Sequence, residues 1–260
     1  ESRSKHHKRK KEGSSMTGRK ARDLIFAVVL VYLIPLLSSR FADATVGGFA
    51  GLDPDGVFAW RFLHHIAQAV LSMVVIVALG AQWKLSMAEW GLNLNKSDWS
   101  MKIFWRFCLG CAVYGVIFNL LMPGAAMQSA VNHPMNARNV AGILLFMFTM
   151  PGIAEELLFR SLILTILARS WNSEVRFPGF TVPTAGVISA VLFSMAHIGF
   201  TVSPFKITYL DPVQLVIAFG FGILYAFMYR NTGSLLGPVL IHNVSDGLLA
   251  AISYVAKLIR

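Results

Sequence analysis

Charged residues are scarce in this chain of 260 residues. Asp, Glu, Lys and Arg together make up 14% of it and hydrophobic residues 55%, whereas soluble domains carry about 25% charged residues. This composition excludes an ordinary soluble domain and is typical of a protein that crosses a membrane several times. Cysteine is nearly absent. Cys108 and Cys111 fall inside an apolar run with no βαβ pattern around them, so we interpret them as small helix residues and not as a redox pair.

Acidic residues are also few, and the resulting net charge of +10 is concentrated at one end. Nine of the 23 Lys and Arg residues lie within residues 1–22, a stretch without Phe, Tyr or Trp. Nucleic-acid binding is disfavoured because no aromatic side chain is available to stack on bases. We therefore predict a disordered basic tail over residues 1–23 that contacts anionic lipid on the cytoplasmic side. The apolar segment after the tail lacks a small-residue cleavage site, so we expect no cleavable signal peptide.

Seven apolar runs account for most of the remaining chain and predict an all-α, polytopic membrane bundle over residues 24–260. The runs are Leu24–Ser39, Phe58–Ala81, Ile103–Met122, Val140–Ala168, Thr181–Ile198, Pro212–Tyr229 and Leu235–Leu258. The fourth run is too long for one straight span of about 20 residues, and Pro151 inside it predicts a kink or a new helix start. His64 and His65, near the start of the second run, are interpreted as interfacial residues. Basic residues concentrate in alternate connections, which favours a cytoplasmic N-terminus.

Two adjacent carboxylates and an arginine interrupt the fourth apolar run. Placing an ionisable group in hydrocarbon costs roughly 2.5–3.5 kcal/mol on insertion scales, so we expect Glu155, Glu156 and Arg160 to have a structural or functional role that offsets this cost. On a helix, Glu156 and Arg160 share a face at i, i+4 and can form an ion pair. Glu155 points about 100° away and has no such partner in its own helix. It is a candidate general base, although a buried ion pair that pins helix packing is the plainer alternative.

Two later apolar runs carry histidines at membrane depth. Phe193 and His197 share one helical face, and so do His242 and Asp246. A lone histidine in a helix usually has a structural role only. Here, however, two histidines and a glutamate pair lie in three separate helices. Together they supply a base (Glu), proton shuttles (His) and hydrogen-bonding groups for an oxyanion, and the attack of water on an amide requires all of these. The alternative is a zinc site of Glu155, His197 and His242 with an open position for water, although the H-E-x-x-H spacing of soluble zinc proteases is missing.

Three motifs, in this order along the chain, resemble those of the CPBP family, the CAAX-processing and bacteriocin-processing intramembrane proteases that are also called Abi proteins. The motifs are Glu155-Glu156-x-x-x-Arg160, Phe193-x-x-x-His197 and His242-x-x-x-Asp246. The segment Tyr229–Leu235 before the last motif also resembles the family's usual run-up. The resemblance covers roughly residues 143–250, and the motifs are more specific together than singly.

This resemblance implies an α-helical membrane endopeptidase with a buried polar cavity. Glu155 and His197 are then expected to activate water, and His242 with Asp246 is expected to bind the developing oxyanion. The expected supporting residues are Glu156, Arg160, Phe193 and Asn243. One position departs from the family, whose last motif residue is often Asn: an Asn amide donates directly, whereas Asp246 must be protonated to donate. Asp246 alternatively orients His242 or ligates a metal. A mechanism without a cofactor is favoured, with zinc as the alternative.

The expected setting is a prokaryotic plasma membrane. The expected partners are membrane lipid and a membrane-associated peptide or protein substrate. Eukaryotic relatives trim the last three residues from prenylated CAAX proteins, which makes a lipidated substrate one expectation, but the sequence shows no prenyl-binding groove. Two other functions stay open. One is a catalytically inactive scaffold or immunity protein, against which the complete motifs argue. The other is a proton-coupled transporter, for which internal repeats are expected and not found.

Overall fold

The computed structural model of the chain describes residues 2–121, 133–202 and 204–258. Over these residues the chain forms a bundle of apolar helices, and the predicted helical membrane fold is confirmed. The helices are α1 (Ser2–Thr45), α2 (Ala59–Trp83), α3 (Ser97–Leu121), α4 (Ala137–Thr149), α5 (Pro151–Glu156), α6 (Leu164–Ala168), α7 (Thr184–Met195), α8 (Pro212–Thr232) and α9 (Leu236–Leu258). A π-helical segment, Leu157–Ile163, joins α5 to α6, and 3₁₀ turns occupy Val46–Phe49 and Met87–Trp90.

Five helical stretches among the described residues are long and apolar enough to cross a bilayer. They are Thr17–Phe49, Ala59–Trp83, Ala137–Ala168, Pro212–Thr232 and Leu236–Leu258. The predicted third span falls within α3, which carries both cysteines as free thiols, and its last residue, Met122, lies outside the described residues. The division of the chain into a tail over residues 1–23 and a protease domain over residues 24–260 stays a prediction.

The predicted fifth span, Thr181–Ile198, has different bounds in the structure. Its first residues belong to strand β2 (Phe180–Pro183), which pairs antiparallel with β1 (Glu174–Phe177). Pro183 delays the helix, because a proline biases the residue before it towards extended backbone. The 12 residues of α7 rise about 18 Å, which is short of a hydrocarbon core of about 30 Å. A second antiparallel hairpin, β3 (Gly199–Val202) and β4 (Phe205–Tyr209), follows α7.

Asp53 fixes the start of α2, the helix that carries His64 and His65. Its carboxylate accepts hydrogen bonds from the backbone N–H groups of Val57 at 2.9 Å and of Phe58 and Ala59 at 2.7 Å each. Burial works to raise the pKa of Asp53, but these three N–H groups outweigh burial, and the pKa lies below its ordinary value. Asp53 therefore acts as an ionised anchor that positions the first turns of α2.

The stretch from Ala137 to Ala168 is the most buried of the five candidate spans. Its large aliphatic side chains that are almost completely buried are Leu158, Leu162, Ile163, Ile166 and Leu167. They belong to an apolar cluster that also takes residues from α1, α2, α7 and α8. Helix α5 packs against both α2 and α9. The two glutamates at the end of α5 consequently lie where three helices meet.

Candidate active site

The helix break at Pro151 is present as predicted, and Asn243 stabilises it. Helix α4 ends at Thr149 and α5 begins at Pro151. Such a break leaves a carbonyl at the end of one helix and an N–H group at the start of the next without helical partners. The amide side chain of Asn243 on α9 accepts a hydrogen bond from Gly152 N–H at 2.7 Å and donates one to the Thr149 carbonyl at 3.0 Å. Helix α9 thereby fixes the direction in which α5 leaves the break.

Gly152 allows α5 to approach α9 this closely. A Cβ atom at this position lies 2.6 Å from the carbonyl oxygen of Val239 and 2.9 Å from Oδ1 of Asn243. Real Cβ atoms do not make backbone contacts that short, so any larger residue forces the two helices apart. The close approach brings the end of α5 next to His242, one turn further along α9.

Glu156 and Arg160 form the predicted ion pair and are both fully buried. Nε of Arg160 lies 3.0 Å from Oε2 of Glu156, and neither side chain has any exposed surface. Nη1 of Arg160 donates to Oγ of Ser189 at 3.1 Å, and that hydroxyl donates to the Phe159 carbonyl at 2.8 Å. The guanidinium also lies 5.1 Å from the ring centroid of Phe193, within the range of a cation–π interaction.

The backbone around Arg160 is π-helical, over Leu157–Ile163. This conformation is rare and is frequently found at functional sites, and its wider turn changes which side chains share a face. Here it follows directly on Glu156 and sends Arg160 back towards α7 while α5 keeps its contact with α9. The sequence gives no warning of it, since every residue in the segment favours or tolerates an ordinary α-helix.

His242 connects the buried ion pair to the outer part of the site. Its Nδ1 lies 2.9 Å from Oε1 of Glu156, and its ring stacks on that of Tyr225 with centroids 5.2 Å apart. Glu156 faces an arginine that does not lose its proton, so it is an ionised acceptor and we assign the Nδ1 proton to His242. The other nitrogen, Nε2, lies 3.8 Å from Oε2 of Glu155 and 3.6 Å from Oδ2 of Asp246.

Exposure of these groups increases outward from the ion pair. The side chain of His242 is 7% exposed, that of Glu155 22% and that of Asp246 33%. The two adjacent glutamates therefore differ in kind. Glu156 is a fully buried carboxylate with a structural role, whereas Glu155 has accessible surface where a water molecule or a peptide can reach it.

His197 lies at the end of α7 and is held by Phe193. Its Nδ1 donates to the Phe193 carbonyl at 2.9 Å, and Nε2 has no hydrogen-bond partner among the described residues. The Phe193 ring contacts both imidazoles, with centroids 5.1 Å from His197 and 5.9 Å from His242. Within the described part of the chain, no carboxylate lies within 4.0 Å of the His197 ring nitrogens, although His197 interacts electrostatically with Glu155 and Asp246. The structure thus places His197 at the edge of the site, with Phe193 between the two histidines.

His65 of α2 is a neighbour of the site that the sequence pattern does not reveal. Its place near the start of an apolar run indicates an interfacial residue, yet its Nε2 lies 3.6 Å from Oε1 of Glu155. Helix α2 carries no motif, so only the packing of α2 on α5 reveals the contact. One sequence signal was available: an ionisable side chain in an apolar run is a functional candidate by default, and that argument applies to His65 as it does to Glu155.

The donor set of the zinc alternative was Glu155, His197 and His242. Among the residues that the structure describes, no three His, Cys, Asp or Glu side chains are arranged to hold one metal ion. Both histidines already use Nδ1 towards Glu156 or a carbonyl, so each has one nitrogen left for a ligand. A histidine that binds zinc through one ring nitrogen commonly donates its other N–H to a carboxylate or a carbonyl in this way, so the zinc alternative stays a prediction.

The family comparison agrees with the motifs. Residues 137–248 match a family model that is described as Type II CAAX prenyl endopeptidase Rce1-like. The matched segment runs from α4 into α9 and includes all three motifs. No curated protein and no solved structure matches the chain. The match confirms the resemblance to CPBP intramembrane proteases, and with five apolar candidate spans among the described residues the chain is an integral membrane protein.

Proposed function

We propose that this chain, whose residues 137–248 match the Rce1-like family model, cleaves membrane-associated peptides by water attack that Glu155 and His197 activate. His242 and Asp246 bind the oxyanion that forms on the scissile carbonyl. The observation that carries the proposal is that Nε2 of His242 lies 3.8 Å from Glu155 and 3.6 Å from Asp246, in a partly exposed cluster of these three side chains that we call the opening. Such separations are longer than hydrogen bonds, as is common for catalytic groups before substrate binds.

Glu155 serves as the general base. A water molecule beside its carboxylate gives up a proton as the water oxygen attacks the carbonyl carbon of the scissile amide. The tetrahedral intermediate then collapses, the C–N bond breaks, and the leaving nitrogen takes up the proton. His197 assists this transfer from Nε2, because its Nδ1 proton is engaged by the Phe193 carbonyl. The products are a carboxylate and an amine, and no co-reactant other than water is consumed.

His242 donates to the oxyanion from Nε2. Its Nδ1 proton is committed to Glu156, so Nε2 carries a proton only when both ring nitrogens are protonated. The buried Glu156 carboxylate lies against the ring and stabilises that doubly protonated form, while Arg160 prevents Glu156 from being an uncompensated charge. Asp246, in its protonated form, adds a second donor. Preorganised donors of this kind lower the free energy of the transition state more than that of the ground state.

The test is cleavage by the full chain reconstituted in liposomes. The probes are a farnesylated peptide ending in a CAAX sequence and its unprenylated counterpart, in water enriched in ¹⁸O. We expect release of the C-terminal tripeptide and one ¹⁸O atom in the new carboxylate of the longer product, by mass spectrometry, with no effect of a zinc chelator. Proton flux without peptide turnover contradicts the proposal in favour of a transporter, and neither flux nor turnover favours an inactive scaffold. Loss of activity with chelator and its return with zinc contradict the metal-free mechanism.

Asp246→Asn tests the donor role of Asp246. An asparagine amide donates a hydrogen bond at every pH, whereas a carboxyl donates only when it is protonated. We expect Asp246→Asn to retain or exceed the activity of the unmodified protein, and Asp246→Leu, of similar size and without a donor, to lose about 10²–10³ in kcat. The measurement is kcat in the tripeptide-release assay. An inactive Asp246→Asn shows that the carboxylate itself is required and removes Asp246 from the oxyanion site.

A further inference from the structure

We infer that His65 is a positioning residue that holds the carboxylate of Glu155 in its reactive orientation. The inference rests on the proposed function, in which Glu155 is the general base. His65 lies on α2, outside the matched segment 137–248, and its side chain is 15% exposed. Its Nε2 lies 3.6 Å from Oε1 of Glu155, while the other carboxylate oxygen, Oε2, faces His242.

The ring of His65 is fixed in a way that commits its free nitrogen to Glu155. Nδ1 lies 2.9 Å from the Arg61 carbonyl one turn earlier, and a carbonyl only accepts, so Nδ1 carries a proton. The ring packs edge-on against Phe146 of α4 at 4.8 Å and against His64 at 5.1 Å. With Nδ1 engaged and two neighbouring rings packed against the imidazole, Nε2 is the ring nitrogen that remains for the site.

Two acidic groups, one on α5 and one on α9, interact with His65. Glu156 is compensated by Arg160, which leaves Glu155 of α5 and Asp246 of α9 as the acidic groups of the opening. Both interact electrostatically with His65, whose own helix contributes the neighbouring imidazole of His64. In the form with a proton on both ring nitrogens, His65 is able to donate from Nε2 to Oε1 of Glu155, which lies 3.6 Å away. The carboxylate is then held between two imidazoles, and Oε2 is directed at the position from which water attacks.

His64 provides a matched control one residue away. Its Nδ1 lies 3.3 Å from Oγ of Ser39 on α1, and its ring stacks on Trp60 with centroids 5.0 Å apart. The first contact joins α1 to α2, the second lies within α2, and no carboxylate of the site lies within 4.0 Å of the His64 ring nitrogens, as far as the described residues show. A substitution at His64 therefore disturbs the same turn of α2 and a longer-range electrostatic interaction with Glu155, but it leaves the contact between His65 and Glu155 in place.

The experiment compares His65→Ala, His65→Gln and His64→Ala in the liposome cleavage assay. We expect His65→Ala to lower kcat by about 10–100-fold with little change in KM, because outer partners of a reactive group have effects of this size. His65→Gln is expected to recover most of kcat, since the glutamine amide nitrogen reaches about the position of imidazole Nε2 and donates. His64→Ala removes one ring contact of His65 but keeps His65 beside Glu155, so it is expected to lower kcat much less than His65→Ala does.

The outcomes separate this inference from the proposed function. Unchanged kcat in His65→Ala overturns the positioning role while leaving Glu155 as the base. An equal loss of kcat in His65→Ala and His64→Ala, with a lowered melting temperature and no recovery in His65→Gln, assigns His65 to helix packing and also overturns it. Cleavage that persists in Glu155→Gln contradicts the proposed function itself, whatever the His65 variants do.

Discussion

Glu155→Gln is expected to lower kcat for peptide cleavage by about 10²–10⁴-fold, with KM nearly unchanged. The substitution keeps the size and the hydrogen-bonding reach of the side chain, but an amide does not take a proton from water. The loss is expected in kcat because the proton is transferred in the transition state, whereas binding of the substrate involves no proton transfer. The measurement is the rate of tripeptide release at saturating peptide in liposomes.

Glu174→Gln is the matched control for that substitution. Glu174 lies on β1, is partly exposed and pairs with Arg230 of α8, away from the opening formed by Glu155 and His242. An exposed ion pair contributes little to stability, so this variant is expected to fold and to cleave normally. If Glu155→Gln cleaves as fast as Glu174→Gln, Glu155 is not the base and the mechanism proposed for this site is wrong.

Much of the inner site follows from local sequence rules. Glu156 and Arg160 are one helical turn apart, so their pairing follows from helix geometry. The break at Pro151 follows from the missing N–H group of proline. Asn243 was expected in a supporting role, but its bridge across that break depends on where α9 packs, which periodicity does not give.

The parts that the sequence did not predict depend on tertiary packing. His65 belongs to a helix without a motif, and its contact with Glu155 arises because α2 and α5 are neighbours in space. The sequence also does not predict the π-helical turn after Glu156 or the short α7 between two hairpins. In both places the apolar composition predicts a longer, regular α-helix. Arg160 needs Ser189 and the surrounding rings as partners, and these come from separate helices.

Among the substitutions considered for this site, Arg160→Met is expected to lower the free energy of unfolding most. Removing one partner of a buried ion pair leaves Glu156 as an uncompensated charge without exposed surface, which costs about 3–5 kcal/mol. The expected result is a strong fall in melting temperature and in the yield of folded protein in detergent. Arg169→Met is the control: Arg169 lies just after α6, is exposed and stacks over Trp83. A melting temperature for Arg160→Met equal to that of Arg169→Met contradicts the prediction.

The double variant Glu156→Gln/Arg160→Met separates stability from catalysis. It removes both buried charges together, so it is expected to be more stable than Arg160→Met alone. The glutamine oxygen still accepts from Nδ1 of His242, which keeps the ring in place. A neutral amide does not stabilise the doubly protonated imidazole as a carboxylate does, so kcat is expected to stay about 10–100-fold below that of the unmodified protein. Recovery of both stability and kcat in the double variant indicates that the pair serves helix packing alone, and that His242 does not depend on the Glu156 charge to bind the oxyanion.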